Sequence, residues 1–136
     1  MVDGSGVPLA IVASGANTHD ARLLEATLDQ IVIEPPGRAG QDILCADAGY
    51  KGEPAREAVG ARDYQPHIKQ RREEAHEKRT EPGFKARRWV VERTHSWLNR
   101  FRKLLVSFEK TEASYVALLS LACAMICWRQ IVSIYG

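Results

Sequence analysis

Cysteine is scarce in this chain: Cys45, Cys123 and Cys127 are the only three in 136 residues. The number is odd and the spacing fits no metal site. Cys123 and Cys127 lie four apart in an apolar stretch and read as small buried hydrophobes. This usage excludes a disulfide framework and predicts a reducing, cytoplasmic setting. His19, His67, His76 and His95 are scattered, with no zinc-type spacing. The longest apolar run, residues 113–128, covers about 16 positions before Arg129. A membrane span needs about 20, so the run reads as a fully buried core helix and no membrane is expected. Met-Val-Asp-Gly at the start has no basic stretch leading into an apolar one, so no signal peptide is expected. Gly4-Ser5-Gly6 is too short for a phosphate loop, and Ser5 lacks the flanking pattern of a hydrolase nucleophile. No internal repeat is present.

What is present is an uneven charge. The net value of +2 hides two opposed parts. Residues 62–103 hold 13 Lys or Arg against 6 Asp or Glu, while the remainder holds 6 against 11. Such polarity suits a polyanion at the basic segment. A surface helix laced with salt bridges accounts for the same charges. The length fits one domain with a usable core, read as a single partial unit over 1–136.

Periodicity and turn chemistry order the chain. Residues 7–14 are nearly continuous in apolar side chains and predict a strand, preceded by the turn residues Asp3-Gly4-Ser5-Gly6. Asn17 or Thr18 can cap a helix over 20–32 that buries Leu23, Leu24, Leu28 and Ile31. Residues 34–40 contain Pro-Pro-Gly and predict a loop. Residues 42–46 predict a short buried strand ended by Asp47, followed by a turn over 48–52 and a helix over 53–59. Residues 64–69 predict a strand that Pro66 weakens. Residues 70–83 read as an exposed, mobile, basic loop. Helices over 84–105 and 112–134 follow, with a break between them. Strands alternating with helices and then two long helices give an α/β fold, a sheet covered by helices.

Two acids stand out. Within 84–105, Val90, Thr94, Trp97, Phe101 and Leu104 recur at helical period as an apolar stripe. Glu92 falls nearly opposite, on a face shared with Lys85, Arg88, His95, Ser96, Asn99 and Lys103. A lone carboxylate among cations fits metal-assisted phosphate handling; a solvated polar face is the other reading. Asp47 directly follows a buried strand, where open α/β sheets place their ligands. It also fits as the cap of the next turn. Together Asp47 and Glu92 would offer hard oxygen donors to Mg²⁺ or Mn²⁺. Trp89 and Trp97 read as packing residues rather than base-stacking platforms.

Three stretches carry a resemblance: Gly15-Ala16-Asn17-Thr18-His19-Asp20, Ala46-Asp47-Ala48-Gly49-Tyr50-Lys51-Gly52, and Arg88 to Leu104 around Val90-Val91-Glu92-Arg93. In order and spacing they resemble the DDE transposases of bacterial insertion sequences, and the likeness covers nearly the whole chain. The resemblance implies an RNase H-like catalytic core that cuts DNA at transposon ends and joins the freed 3′-hydroxyl to target DNA. It implies Asp47 and Glu92 as the second and third catalytic, metal-binding acids, with two Mg²⁺ or Mn²⁺ ions in the complete enzyme. It implies DNA contacts from Arg88, Arg93, Asn99, Arg100, Arg102 and Lys103. Of the family's Tyr-Arg-Glu-Lys signature, Arg88 and Glu92 fit, while Lys85 and Asn99 stand at the Tyr and Lys positions. The first catalytic Asp has no counterpart, since Asp3 sits in the turn. The chain is therefore expected to lack the first strand or strands and to be inactive by itself. The expected partners are DNA, a separate N-terminal transposase part and, when complete, further copies of itself. The alternatives are a non-catalytic DNA-binding module and a decayed remnant that docks on that N-terminal part.

Overall fold

The computed structural model describes residues 1–15, 17–33, 42–68, 89–106 and 108–135. The loops expected over 34–40 and 70–83, together with Lys85 and Arg88, lie outside these residues. The chain divides into two compact units: Met1–Gly15 with Trp89–Gly136, and Ala16–Arg88.

The Ala16–Arg88 unit begins with a 3-10 turn, Asp20–Leu23, that continues into α1, Leu24–Asp29. The cap is His19, not Asn17 or Thr18: its Nδ1 accepts the Ala21 N–H at 3.2 Å. An imidazole acceptor supplies what a hydroxyl or amide oxygen would, and the short helix ends three residues before the expected Val32. Leu24 and Leu28 are buried, four apart on one face. Strand β1, Ile43–Ala46, and strand β2, Gln65–Ile68, pair in parallel with Ile43 opposite Gln65 and Ala46 opposite Ile68. Pro66 is tolerated because, among the described residues, the sheet has only these two strands. Parallel strands need a crossover, and α2, Glu53–Gly60, lies between them in the chain. Gly52 precedes α2 at φ 126°, a left-handed conformation that favours glycine. Pro54 then sits in the first turn, where a missing N–H costs nothing. Val59 is completely buried, joined in the core by Ala58, Leu44 and Ile68. Arg62 ties the two helices together. Its Nη1 donates to Ala58 O at 2.9 Å and its Nε to Asp29 Oδ1 at 3.0 Å.

The other unit joins the first fifteen residues to three helices. The expected strand over 7–14 is not formed; the segment makes one isolated antiparallel bridge, Val2 to Pro8. An apolar run requires burial, but a strand also requires a neighbouring ladder, and among the described residues only Val2 bridges it. The turn before it is as expected. Asp3 Oδ1 accepts from the N–H groups of Ser5 and Val7, both at 2.8 Å. Helix α3 is Trp89–Leu98. The predicted helix to Leu105 is interrupted: Phe101 is extended (φ −86°, ψ 98°), and α4, Arg102–Leu105, restarts after it. Asn99 and Arg100 form the connecting turn. Asn is a favoured helix terminator, and a three-residue turn keeps Trp97, Phe101 and Leu104 half-buried on one side.

Helix α5, Glu112–Tyr135, is capped by Thr111, whose Oγ1 accepts the Ser114 N–H at 3.2 Å. It is 24 residues long, enough by length and apolar composition to cross a membrane. It packs against α3 and α4. The apolar run predicts a fully buried helix, yet only Leu119, Ala122, Cys123 and Ile126 of α5 are buried. Leu121, Met125, Trp128, Ile131, Val132, Ile134 and Tyr135 are exposed. The sequence is apolar almost all round, so periodicity could not reveal which face the fold would cover. Burial pushes the Cys123 and Cys127 thiols up from the ordinary range, which keeps them protonated.

Candidate functional site

Asp47 leaves β1 at its C-terminal end and remains exposed. Its Oδ1 accepts the Gly49 N–H at 2.8 Å, capping a 3-10 turn over Ala48–Tyr50. Capping occupies one acceptor position of a carboxylate that has about four, so capping and ligation are compatible. Gly49 makes this geometry possible. A Cβ built there would lie 2.9 Å from Asp47 Oδ1, closer than real contacts allow. Tyr50 is half-buried beside this carboxylate. Its phenol is pushed above the ordinary tyrosine range, first by burial, then by the negative charges of Asp20 and Asp47. Asp20 reaches this neighbourhood because the two 3-10 turns pack together. In the sequence Asp20 stands in the first turn of a helix, where the dipole favours a carboxylate, and nothing local marks it as a neighbour of Asp47 apart from its place in the Asn17-Thr18-His19-Asp20 stretch.

Glu92 lies in the first turn of α3 and is exposed, while Val90 and Thr94 are buried. The helix therefore turns Glu92 away from the packed side, as the stripe predicted. Arg93 is half-buried and held in place. Its guanidinium carbon sits 3.9 Å from the Trp89 ring centre and 5.8 Å from that of Trp97. Its Nη1 donates to the Ser5 carbonyl at 3.1 Å. A cation over an indole contributes about 0.5–1 kcal/mol at an exposed site. Both tryptophans thus serve packing around a cation. Asn99, Arg100, Arg102 and Lys103 are exposed. They do not continue the α3 face, because the chain turns at 99–101; Asn99 and Arg100 lie in the turn, Arg102 and Lys103 on α4. Arg102 and Lys103 flank an apolar hollow of about 230 Å³ lined by Phe101, Leu104, Leu118, Leu121 and Met125.

Glu92, Arg93, Asn99, Arg100, Arg102 and Lys103 thus share one unit, and Asp47 belongs to the other. Arg88 lies outside the described residues. Among the described residues, no group of three or more His, Cys, Asp or Glu side chains gathers as a metal site. Exposed carboxylates at a strand end and on a helix are nonetheless of the donor type that suits a hard divalent ion.

The family model for the transposase DDE domain matches residues 1–127. The chain belongs to this family. It is also 38% identical over 135 residues to a Burkholderia cepacia protein named as a transposase for the insertion sequence element IS402. That alignment takes in 94% of this chain and 60% of the relative, so the chain spans about three-fifths of the relative's length. No solved structure matches. The family assignment bears out the resemblance drawn from the three sequence stretches.

Proposed function

We propose that this chain provides two carboxylates, Asp47 and Glu92, and a phosphate-holding surface for the DNA cleavage and strand transfer of a transposase with an RNase H-like core. The observation that carries this reading is the family match through both acids. Asp47 follows a strand end with its carboxylate fixed by Gly49, and Glu92 projects away from a packed helix face. The two acids would hold Mg²⁺ or Mn²⁺, two ions in the complete enzyme. Bound there, such ions would supply Lewis-acid activation of water and charge stabilisation for phosphodiester displacement. The chain's own residues do the rest. Arg100, Arg102 and Lys103 hold backbone phosphates, with Arg88 and Asn99 extending the contact. Arg93 contributes through the donors that Ser5 leaves unused. The partners are transposon-end and target DNA in the cytoplasm, and further copies of the transposase in the complete assembly.

Residues 1–136 supply two of the three acids the chemistry calls for, so the isolated chain is expected to bind DNA without strand transfer. Gel-shift and cleavage assays with transposon-end DNA and Mn²⁺ test this. The reading expects metal-enhanced binding that falls in Asp47→Asn and Glu92→Gln, and no joined product. Robust turnover lost in Glu92→Gln would overturn the expected inactivity. Binding indifferent to metal and to both substitutions would favour a non-catalytic DNA-binding module.

A second reading has its own observation, the exposed apolar face of α5. In this reading the chain docks on a separate N-terminal transposase part. Co-expression with that part checks it: the expected result is a stable complex that forms with the native α5 face and is lost when Leu121, Met125 and Trp128 are made polar.

A further inference from the structure

The Asp3–Gly6 turn is tied to α3 more closely than a surface turn requires. Thr94 Oγ1 donates to the Gly6 carbonyl at 2.6 Å and lies 3.3 Å from Val90 O, inside a buried contact. Gly6 is buried with φ 86°. A Cβ there would stand 3.2 Å from Thr94 Oγ1 and 3.3 Å from Val90 O. Close approach and left-handed backbone therefore both call for glycine. One residue earlier, the Ser5 carbonyl accepts from Arg93, whose guanidinium also lies over the Trp89 ring. Asp3 keeps the turn closed by accepting from Ser5 and Val7. Beyond the turn, Cys127 Sγ donates to Pro8 O at 3.7 Å, which fastens the same segment to α5.

Two adjacent α3 side chains, Arg93 and Thr94, therefore grip two adjacent carbonyls, Ser5 and Gly6. Adjacent helical residues point about 100° apart, so this double grip leaves α3 no freedom to roll about its axis. A roll by one position would carry Thr94 away from Gly6 and Arg93 away from Ser5, breaking both bonds. Glu92 is two residues from Thr94, about 160° away around the helix.

We infer that the Asp3–Gly6 turn with Arg93 and Thr94 is a rotational latch that fixes where the Glu92 carboxylate projects. Thr94, Gly6 and Arg93 are thus positioning residues for that acid. The inference rests on the reading in which Glu92 holds a divalent ion.

The test is Mn²⁺ affinity of the full chain, read from the EPR signal of free Mn²⁺, with circular dichroism to confirm folding. Thr94→Val keeps the shape but removes the donor; Thr94→Ser restores it. Losing a group bonded directly to a metal ligand weakens binding about 10- to 100-fold; Thr94 acts on Glu92 through the helix, so the lower end applies. The latch predicts about a tenfold loss in Thr94→Val and near-native affinity in Thr94→Ser. Should the valine variant not fold, Arg93→Gln, which cuts the bond to Ser5, reads the same affinity. Weaker binding in Glu92→Gln, with native affinity in Thr94→Val or its substitute Arg93→Gln, would overturn the latch and leave the site reading standing. Native affinity in Glu92→Gln itself would overturn the site reading, and the positioning role with it.

Discussion

Gly49 and Gly6 do related work at the residue scale. Each lets a polar group come closer than a side chain would permit, Asp47 in one unit and Thr94 in the other. Gly49→Ala is expected to push the Asp47 carboxylate off its N–H donor. Because the site is exposed, the melting temperature should shift by only a few degrees, while Mn²⁺ affinity falls about tenfold; calorimetry and EPR measure the two separately. Gly6→Ala acts differently. Strain at positive φ costs about 1–3 kcal/mol, and the clash with the Val90 carbonyl has no flexible end to give way. Urea unfolding should show a stability loss in that range. Tyr50 gives a pH signature. Its phenol holds its proton more tightly in the folded chain than in the unfolded one, so folding is favoured while the phenol stays neutral. That contribution is complete below the ordinary tyrosine range near 10 and is lost as pH rises through the higher folded value. Tyr50→Phe should therefore flatten the alkaline decline in stability, measured by denaturation at a series of pH values. Neither Gly49's role nor that of Tyr50 could be read from local sequence. The close approach at Gly49 depends on the rotamer of Asp47, and the surroundings of Tyr50 depend on two turns packed from distant parts of the chain.

At the scale of elements, legibility followed how local the determining forces are. The bounds of helix α2 and strand β1 are legible nearly to the residue, since Gly52 and Pro54 punctuate the helix start; the burial expected of β1 is not, because only Leu44 in it is buried. Strand β2 was found despite Pro66. The break at Asn99–Phe101 is invisible to the apolar pattern, because Trp97, Phe101 and Leu104 keep helical spacing across it. The strand over 7–14 failed because ladder partners are a tertiary matter. Helix α5 was legible in position but not in burial. Its two faces predict opposite mutational outcomes. Ile126 is 3% exposed and Trp128 66%. Ile126→Ala should cost about 2–5 kcal/mol, whereas Trp128→Gln should stay within about 0.5 kcal/mol in the isolated chain. Equal costs in chemical denaturation would show that the Trp128 face is covered.

The whole molecule combines an acidic balance over most of its length with a basic stretch, residues 62–103, that runs into the segment around Glu92. The family itself was legible from residues, since Asp47 and Glu92 stand in motifs that keep their order. The convergence of the two acids was not legible, because no periodicity reaches across 45 residues, and it stands as a proposal. Arg100, Arg102 and Lys103 are exposed cations, and the proposed function sets them against DNA phosphates. Each phosphate neutralised contributes roughly −0.9 to the slope of log affinity against log salt. Replacing any one with Ala should make the slope shallower by about 1, as read from fluorescence anisotropy with duplex DNA.

The proposed function stands or falls on whether Asp47 and Glu92 hold one and the same ion. A double-mutant cycle on Mn²⁺ affinity tests it most directly, with Asp47→Asn, Glu92→Gln and the pair measured side by side. The account predicts that each single change weakens binding strongly and that the double change adds little further. Additive losses, or native affinity in either single variant, would mean that the two carboxylates do not share a metal, and the proposed chemistry would fall.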